Sequence, residues 1–227
     1  MRTVGDATFP LTVEAALFDL DGVLVDSTVC IEAHWRAFAG WYGLDATAVL
    51  AAVHGVRARD VIEREVGHLG GVEVATARRR HEELELADVA GTVTMPGAVD
   101  LLTAIGARPW AVVTAGTAGV ATARMRAAGL PEPTHVVGAD NVIAGKPDPE
   151  GYCLAASWLG VDVLRCVVLE DAPVGIEAGR AAGATVIALT TTHTADQVRS
   201  ADLVVSDLGA VTVRLGGHRL VFDRRVG

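Results

Sequence analysis

Hydrophobic positions follow two rhythms along the chain. Over residues 27–93 they recur at helical spacing. Val29, Ile31, Trp35, Phe38 and Tyr42 mark a helix over 27–42, with Ser27 as its N-cap and Gly43 as its stop. Residues 46–53 predict a second helix, 59–66 a third ended by Gly67, and 74–87 a charged amphipathic fourth. In that fourth helix Arg78, Arg79 and Arg80 read as a solvated face rather than a phosphate site. No strong strand is expected in this region.

Elsewhere short apolar runs alternate with helical segments. Residues 15–18 predict a buried strand. Pro96 opens a helix to about residue 105, since proline is favoured at the first helical position. Strands are predicted over 110–114, 135–137, 166–169, 185–189 and 203–205, separated by helices over 117–128, 149–159, 173–182 and 194–200. Such alternation implies an α/β fold, a doubly wound parallel sheet covered on both faces, with ligands bound at the carboxyl ends of its strands. Residues 211–222 have the pattern of a β-hairpin turning on Gly216-Gly217. The expected organisation is a sheet domain of residues 1–26 and 96–227, interrupted by an all-helical cap over 27–95. That insertion point places the cap over the strand ends, where it can act as a lid.

The 227 residues suit one domain with a sizeable insertion, and 51% hydrophobic content supplies ample core. A formal net charge of −9 argues against a general nucleic-acid or anionic-membrane surface, but not against a small anionic substrate held in a locally positive site. The three cysteines, Cys30, Cys153 and Cys166, lack metal-ligand spacing and read as reduced core thiols. The first 14 residues lack the apolar region of a signal peptide and no run approaches membrane-spanning length, so a cytoplasmic location is expected.

Candidate chemistry sits at four strand ends. The first carries Asp19 and Asp21 before Gly22. Two carboxylates so close repel each other unless a cation neutralises them, and a hard divalent ion held by oxygen is the usual solution. The second is Thr114-Ala115-Gly116-Thr117 ahead of a helix. Thr114 reads equally as part of a phosphate cradle or as the N-cap of that helix. The third is Gly145-Lys146-Pro147-Asp148. Lys146 reads either as an exposed turn lysine or as the cation that neutralises an aspartate and holds a phosphate oxygen. The fourth is Glu170-Asp171 before Ala172-Pro173, a second acid pair that would complete a cation site, unless Asp171 only caps the helix beginning at Pro173.

In conjunction these motifs resemble the haloacid dehalogenase-like hydrolase superfamily, in the branch whose helical cap follows the first motif. The resemblance runs from about residue 15 to 208. It implies that Asp19 is the nucleophile carrying an aspartyl-phosphate and that Asp21 is the general acid and then the base. Thr114 and Lys146, with backbone N–H groups of Ala115 and Gly116, would hold the phosphoryl group. Mg²⁺ would sit on Asp19, the main-chain oxygen of Asp21, Glu170 and Asp171. The presence of Asp21 and of the second acid pair argues for phosphoryl transfer over dehalogenation.

The cap stretches around Cys30–Arg36 and Val53–Arg57 are similar to those of small sugar- and polyol-phosphate phosphatases of the 2-deoxyglucose-6-phosphate and glycerol-phosphate group. That likeness implies that Arg57 points into the cleft. His54 reads equally as a cleft residue or as a loop residue with no substrate contact. Glu32 and His34, on the first cap helix close to Asp19, are further candidates between which helical phase does not decide. The expected partner is a small phosphorylated molecule, with neither nucleic acid nor membrane, and the expected state is a monomer or weak homodimer. The alternative is a phosphosugar mutase of the beta-phosphoglucomutase type. Against it, Ile31 and Ala58 stand where those mutases place a histidine and an arginine. A non-catalytic sugar-phosphate-binding regulator would show a lost catalytic residue, and none is lost.

Overall fold

The fold is built around one short strand, residues 15–18, whose four side chains are all fully buried. The computed structural model describes residues 8–53 and 56–225. The elements run β1 (Leu11–Val13), β2 (Ala15–Phe18), β3 (Val25–Asp26), α1 (Thr28–Tyr42), α2 (Ala46–Leu50), α3 (Ala58–Val66), α4 (Gly71–Ala87) and β4 (Val93–Thr94). They continue with α5 (Ala98–Ile105), β5 (Trp110–Val113), α6 (Ala118–Ala127), β6 (His135–Val137), α7 (Glu150–Trp158), β7 (Cys166–Glu170) and α8 (Pro173–Ala181). The chain closes with β8 (Thr185–Leu189), α9 (Ala195–Val198), β9 (Leu203–Val205), β10 (Val211–Gly216) and β11 (Arg219–Arg224).

A parallel sheet of order β6-β5-β2-β7-β8-β9 forms the centre. Side chains alternate across it. Ala16, Phe18, Val112 and Leu169 face α5, α6 and the small antiparallel sheet, while Ala15, Leu17, Ala111 and Val168 face α7 and α8. The chain winds outward from β2 in both directions, so the carboxyl end of β2 is the switch point at which open α/β sheets bind ligands.

Helices α1–α4 leave the sheet after β3 and return at β4. These two-residue strands pair antiparallel, Val25 with Thr94 and Asp26 with Val93, and form a neck under the helical insert. They are too short to show a period, and the sequence pattern missed them. The insert has its own apolar cluster, including Trp35, Phe38, Val61, Ile62 and Ala77.

Several sequence expectations shift in detail. Helix α5 begins at Ala98 rather than Pro96, because Gly97 occupies the cap position at φ 82°. A Cβ there would meet the Gly209 nitrogen at 2.2 Å, so both the backbone conformation and the close packing demand glycine. The hairpin turns on Gly217-His218, since Gly216 pairs with Arg219, and Leu11–Val13 adds a third strand beside β11. Cys30 and Cys166 are buried, but Cys153 is exposed rather than a core thiol. Arg78 and Arg79 pair with Glu63 and Glu83, and Arg80 lies 3.8 Å over the Trp41 ring.

Candidate active site

Two strand ends, those of β2 and β7, bring their acids together. Beyond Phe18 the chain keeps one more ladder bond, from Asp19 N–H to Leu169 O (3.0 Å), and then turns. Gly22 makes that turn at φ 85° and leaves room for Asp171, whose Oδ2 would lie 2.1 Å from a Cβ at this position. Asp19 (8% exposed), Glu170 (0%) and Asp171 (3%) each present a carboxylate oxygen within 4.8 Å of the others.

Lys146 reaches into this acidic group. Its Nζ donates to Asp19 Oδ1 at 2.5 Å and to Glu170 Oε1 at 2.5 Å. Glu170 Oε1 also accepts from the Tyr152 hydroxyl at 2.9 Å, and Oε2 from the backbone N–H groups of Asp171 and Ala172. Gly175 in the first turn of α8 makes space for that carboxylate, which a Cβ there would overlap. Three buried acids thus face one ammonium. Burial works against the charge of Lys146, but Asp19 and Glu170 outweigh it and raise Lys146 well above the usual lysine range. Burial, then the neighbouring Glu170 and Asp171, raise Asp19 despite Lys146. Burial and Glu170 push Asp171 up to about 7. An all-oxygen, charge-deficient cluster of this kind fits a hard divalent cation.

Asp21 takes a different partner set. Its Oδ1 accepts from the Ser27 hydroxyl, and Oδ1 and Oδ2 both accept from Arg124 Nη1, at 3.1 and 3.0 Å respectively. Ser27 holds the position before α1 but spends its hydroxyl on Asp21 and makes no cap bond of its own. Arg124 Nη2 continues to Glu85 of α4, at 2.9 Å.

At the end of β5, Thr114 N–H bonds Val137 O, and Thr114 Oγ1 accepts from Gly116 N–H at 3.1 Å. The N-cap of α6 is Thr117, which accepts from Val120 N–H, so Thr114 is not the cap. Thr114, Ala115, Gly116 and Lys146 line the same cleft as Asp19 and Asp21. The opposite wall comes from the helical insert and is apolar over Ile31, Trp35, Val53, Val56 and Ala58.

The predicted cap contacts fall differently. Arg57 lines a recess that adjoins this cleft and shares Thr114, Ala115 and Lys146 with it. Its guanidinium bonds Asp60 and the Ile143 carbonyl at 2.8 Å, and it packs where a Cβ on Gly145 would stand. Arg59 grips the same carbonyl at 2.6 Å. Glu32 pairs with Arg36 on the surface, and His34 is buried inside the insert. His54 lies outside the described residues.

Arg124, Glu85 and Thr192 were not singled out in the sequence. The signal for the first two was there. On α6 the buried stripe is Val120, Ala121, Arg124 and Met125, and on α4 it is Val74, Ala77, His81 and Glu85. A charge on a buried stripe requires a partner. Thr192, whose hydroxyl donates to Asp171 Oδ2, lay in an unremarkable polar run after β8.

Residues 13–183 match the family model for haloacid dehalogenase-like hydrolases. The chain belongs to that family. Among curated relatives of this haloacid dehalogenase-like hydrolase, hexitol phosphatase A of Escherichia coli is 40% identical over 199 residues, covering 87% of this chain and 92% of the relative. Glycerol-1-phosphate phosphohydrolase 2 of Saccharomyces cerevisiae is 33% identical, covering 97% and 92%. The crystal structure of beta-phosphoglucomutase from Clostridium difficile superposes with a TM-score of 0.77 at 21% identity, covering 87% and 92%, and shares the fold. With relatives of this kind, the chain is a phosphoric monoester hydrolase of the family. Among the described residues no helix is long and apolar enough to cross a membrane.

Proposed function

We propose that the protein is a Mg²⁺-dependent phosphomonoesterase acting on a small sugar or polyol phosphate through an aspartyl-phosphate on Asp19. The observation that carries this reading is the convergence of Asp19, Asp21, Thr114 and Lys146 on one cleft, with the two aspartates held by different cations. Asp19 attacks phosphorus, the bond to the alcohol oxygen breaks, and Asp21 supplies that oxygen with a proton. Water then attacks the phosphoryl group, Asp21 takes the proton of the water, and Asp19 is released with inorganic phosphate. Lys146, the Thr114 hydroxyl and the backbone of Ala115 and Gly116 hold the phosphoryl oxygens.

Asp19, Glu170 and Asp171, with the main-chain oxygen of Asp21, are the groups that would hold the magnesium ion. It would offset their charge and polarise the phosphoryl oxygens. The helical insert serves as the cap and selects the alcohol. Its residues Ile31 and Ala58 line the cleft as apolar groups at the positions where the mutase pattern calls for histidine and arginine, which favours hydrolysis over isomerisation.

The test is phosphate release from a panel of glycerol, hexitol, pentose and hexose phosphates, with Mg²⁺ and with EDTA, for wild type and Asp19→Asn. Release that depends on Mg²⁺ and disappears in Asp19→Asn is expected. Turnover indifferent to EDTA would remove the metal from this reading, and full turnover by Asp19→Asn would remove the nucleophile. Conversion of beta-glucose 1-phosphate to glucose 6-phosphate with little free phosphate would favour the mutase instead.

A further inference from the structure

Arg124 is buried to 3% exposure, in a helix whose other inward residues are apolar. Placing a guanidinium there is costly unless every arm has work to do. One arm, Nη1, meets both carboxylate oxygens of Asp21, and the other, Nη2, meets Glu85 Oε1 at 2.9 Å. Asp21 belongs to the sheet end, whereas Glu85 belongs to α4 of the helical insert, which lies against α6. The remaining Glu85 oxygen stands 3.3 Å from His81 Nδ1, and the His81 ring packs on Trp35 at 4.2 Å between centroids. Trp35 and Glu85 both line the cleft. A continuous set of contacts therefore runs from the apolar cleft wall through α4 to Asp21.

A planar fork fixes direction as well as charge, which a lysine in its place would not do. Burial alone would raise the Glu85 carboxyl, but His81 and Arg124 outweigh it and hold it below the usual glutamate range, so it meets Arg124 as an anion.

We propose that Arg124 is a positioning residue for Asp21, clamped from the cap by Glu85, so that proton delivery to the leaving alcohol reaches full rate only with the cap seated on the core. This inference rests on the phosphatase reading above. It gives the helical insert a share in the chemical step beyond shaping the cleft. Arg124 spends its Nη1 group on the Asp21 carboxylate and its Nη2 on Glu85. It acts through the aim of Asp21.

Leaving groups distinguish this role from a structural one. An alkoxide needs a proton as the P–O bond breaks, whereas the acetate leaving from acetyl phosphate does not. The experiment measures substrate consumption in a single turnover, with full-length enzyme and Mg²⁺ in excess, for acetyl phosphate and for the fastest alkyl phosphate of the panel. Arg124→Lys is expected to slow the alkyl phosphate by about 10- to 100-fold, part of what positioned proton transfer contributes. Acetyl phosphate should slow much less, so that the ratio of the two rates changes by about tenfold or more. Glu85→Gln should move the ratio in the same direction by a smaller factor, and it stands as the test if Arg124→Lys does not fold. Combining Arg124→Lys with Asp21→Asn should add little to the alkyl-phosphate defect of Asp21→Asn alone. Equal slowing of both substrates, or full multiplication of the two defects, would overturn the inference. A wild-type protein that consumes neither substrate would instead overturn the phosphatase reading, and this inference with it.

Discussion

Replacing Lys146 by methionine tests the charge balance of the acidic cluster directly. Methionine keeps most of the length and apolar stem of lysine and removes only the ammonium. In the wild type that ammonium sits 2.5 Å from Asp19 Oδ1 and 2.5 Å from Glu170 Oε1, with side-chain exposures of 8%, 11% and 1% for the three residues. Coulomb attraction at 2.5 Å with an effective dielectric of 20 would be about 7 kcal/mol for each contact, but desolvation of the charges cancels much of it. The better guide is the measured cost of removing one partner from a buried pair, about 3–5 kcal/mol, because the carboxylates left behind remain buried and uncompensated.

For a chain of this size each kcal/mol shifts the melting temperature by about 2–4 °C, so Lys146→Met should melt roughly 6–20 °C below wild type. The assay is thermal unfolding followed by far-ultraviolet circular dichroism at pH 8 in EDTA. Arg79→Met serves as the control. It removes the same charge from an exposed pair with Glu83 at 3.8 Å, where both side chains are about 70% exposed, and should shift the midpoint by no more than about 2 °C. A Lys146→Met midpoint within that same margin would refute the reasoning, since it would mean that Lys146 neutralises nothing the fold needs neutralised.

Two further outcomes follow from local geometry. Gly97→Ala must place a Cβ 2.2 Å from the Gly209 nitrogen at φ 82° and should cost about 2–5 kcal/mol in urea unfolding, whereas Gly43→Ala, at φ 64° with open space around it, should cost only about 1–2 kcal/mol. Equal losses would contradict the packing argument. His34 has no hydrogen-bond partner for either ring nitrogen among the described residues. Burial lowers it from 6.5, with Arg124 and His81 acting the same way against Glu85 and Asp88. A base lowered on folding contributes stability that is fully present above 6.5 and is lost as pH falls through its folded value. The drop in unfolding free energy between pH 7 and pH 5 should therefore be smaller in His34→Leu than in wild type, and an identical drop would sink this account.

The sheet was legible because its strands are short, mostly apolar runs set between helical segments, and because acids stand at the carboxyl ends of two of them, β2 and β7. Asp19 and Asp171 could be picked out for that reason, and Lys146 for standing between a glycine and a proline in a loop. The neck strands β3 and β4 escaped notice because two residues cannot express an alternation. Cap contacts escaped for a different reason. Arg57, placed in the cleft by likeness, stands in the recess beside it with its guanidinium on Asp60 and the Ile143 carbonyl, and that loop is held by Glu150, which accepts from the backbone N–H groups of Ile143 and Ala144. Nothing in the spacing of residues 57, 143 and 150 announces such a contact. Arg124 and Glu85 were readable in principle, since each interrupts an apolar helical stripe. Pairing them required knowing that α4 lies on α6.

The separation of Asp19 from Asp21 follows from where the strand stops. In an uninterrupted strand, residues two apart share a face, and the two carboxylates would compete for one environment. Here the ladder ends with the bond from Asp19 to Leu169, and the turn through Gly22 sends the next acid elsewhere. Asp19 joins two further carboxylates and one ammonium, an arrangement with a negative surplus that calls for another cation. Asp21 joins a serine hydroxyl and one face of a guanidinium whose other arm is held from the helical insert. One acid is thus tied to the core, while the other is tied to the helical insert. A nucleophile has to stay fixed relative to phosphorus, and a proton donor has to track the departing alcohol. In the proposed reaction Asp19 has the first task and Asp21 the second, and the break in β2 after Phe18 would supply both from neighbouring positions in the chain.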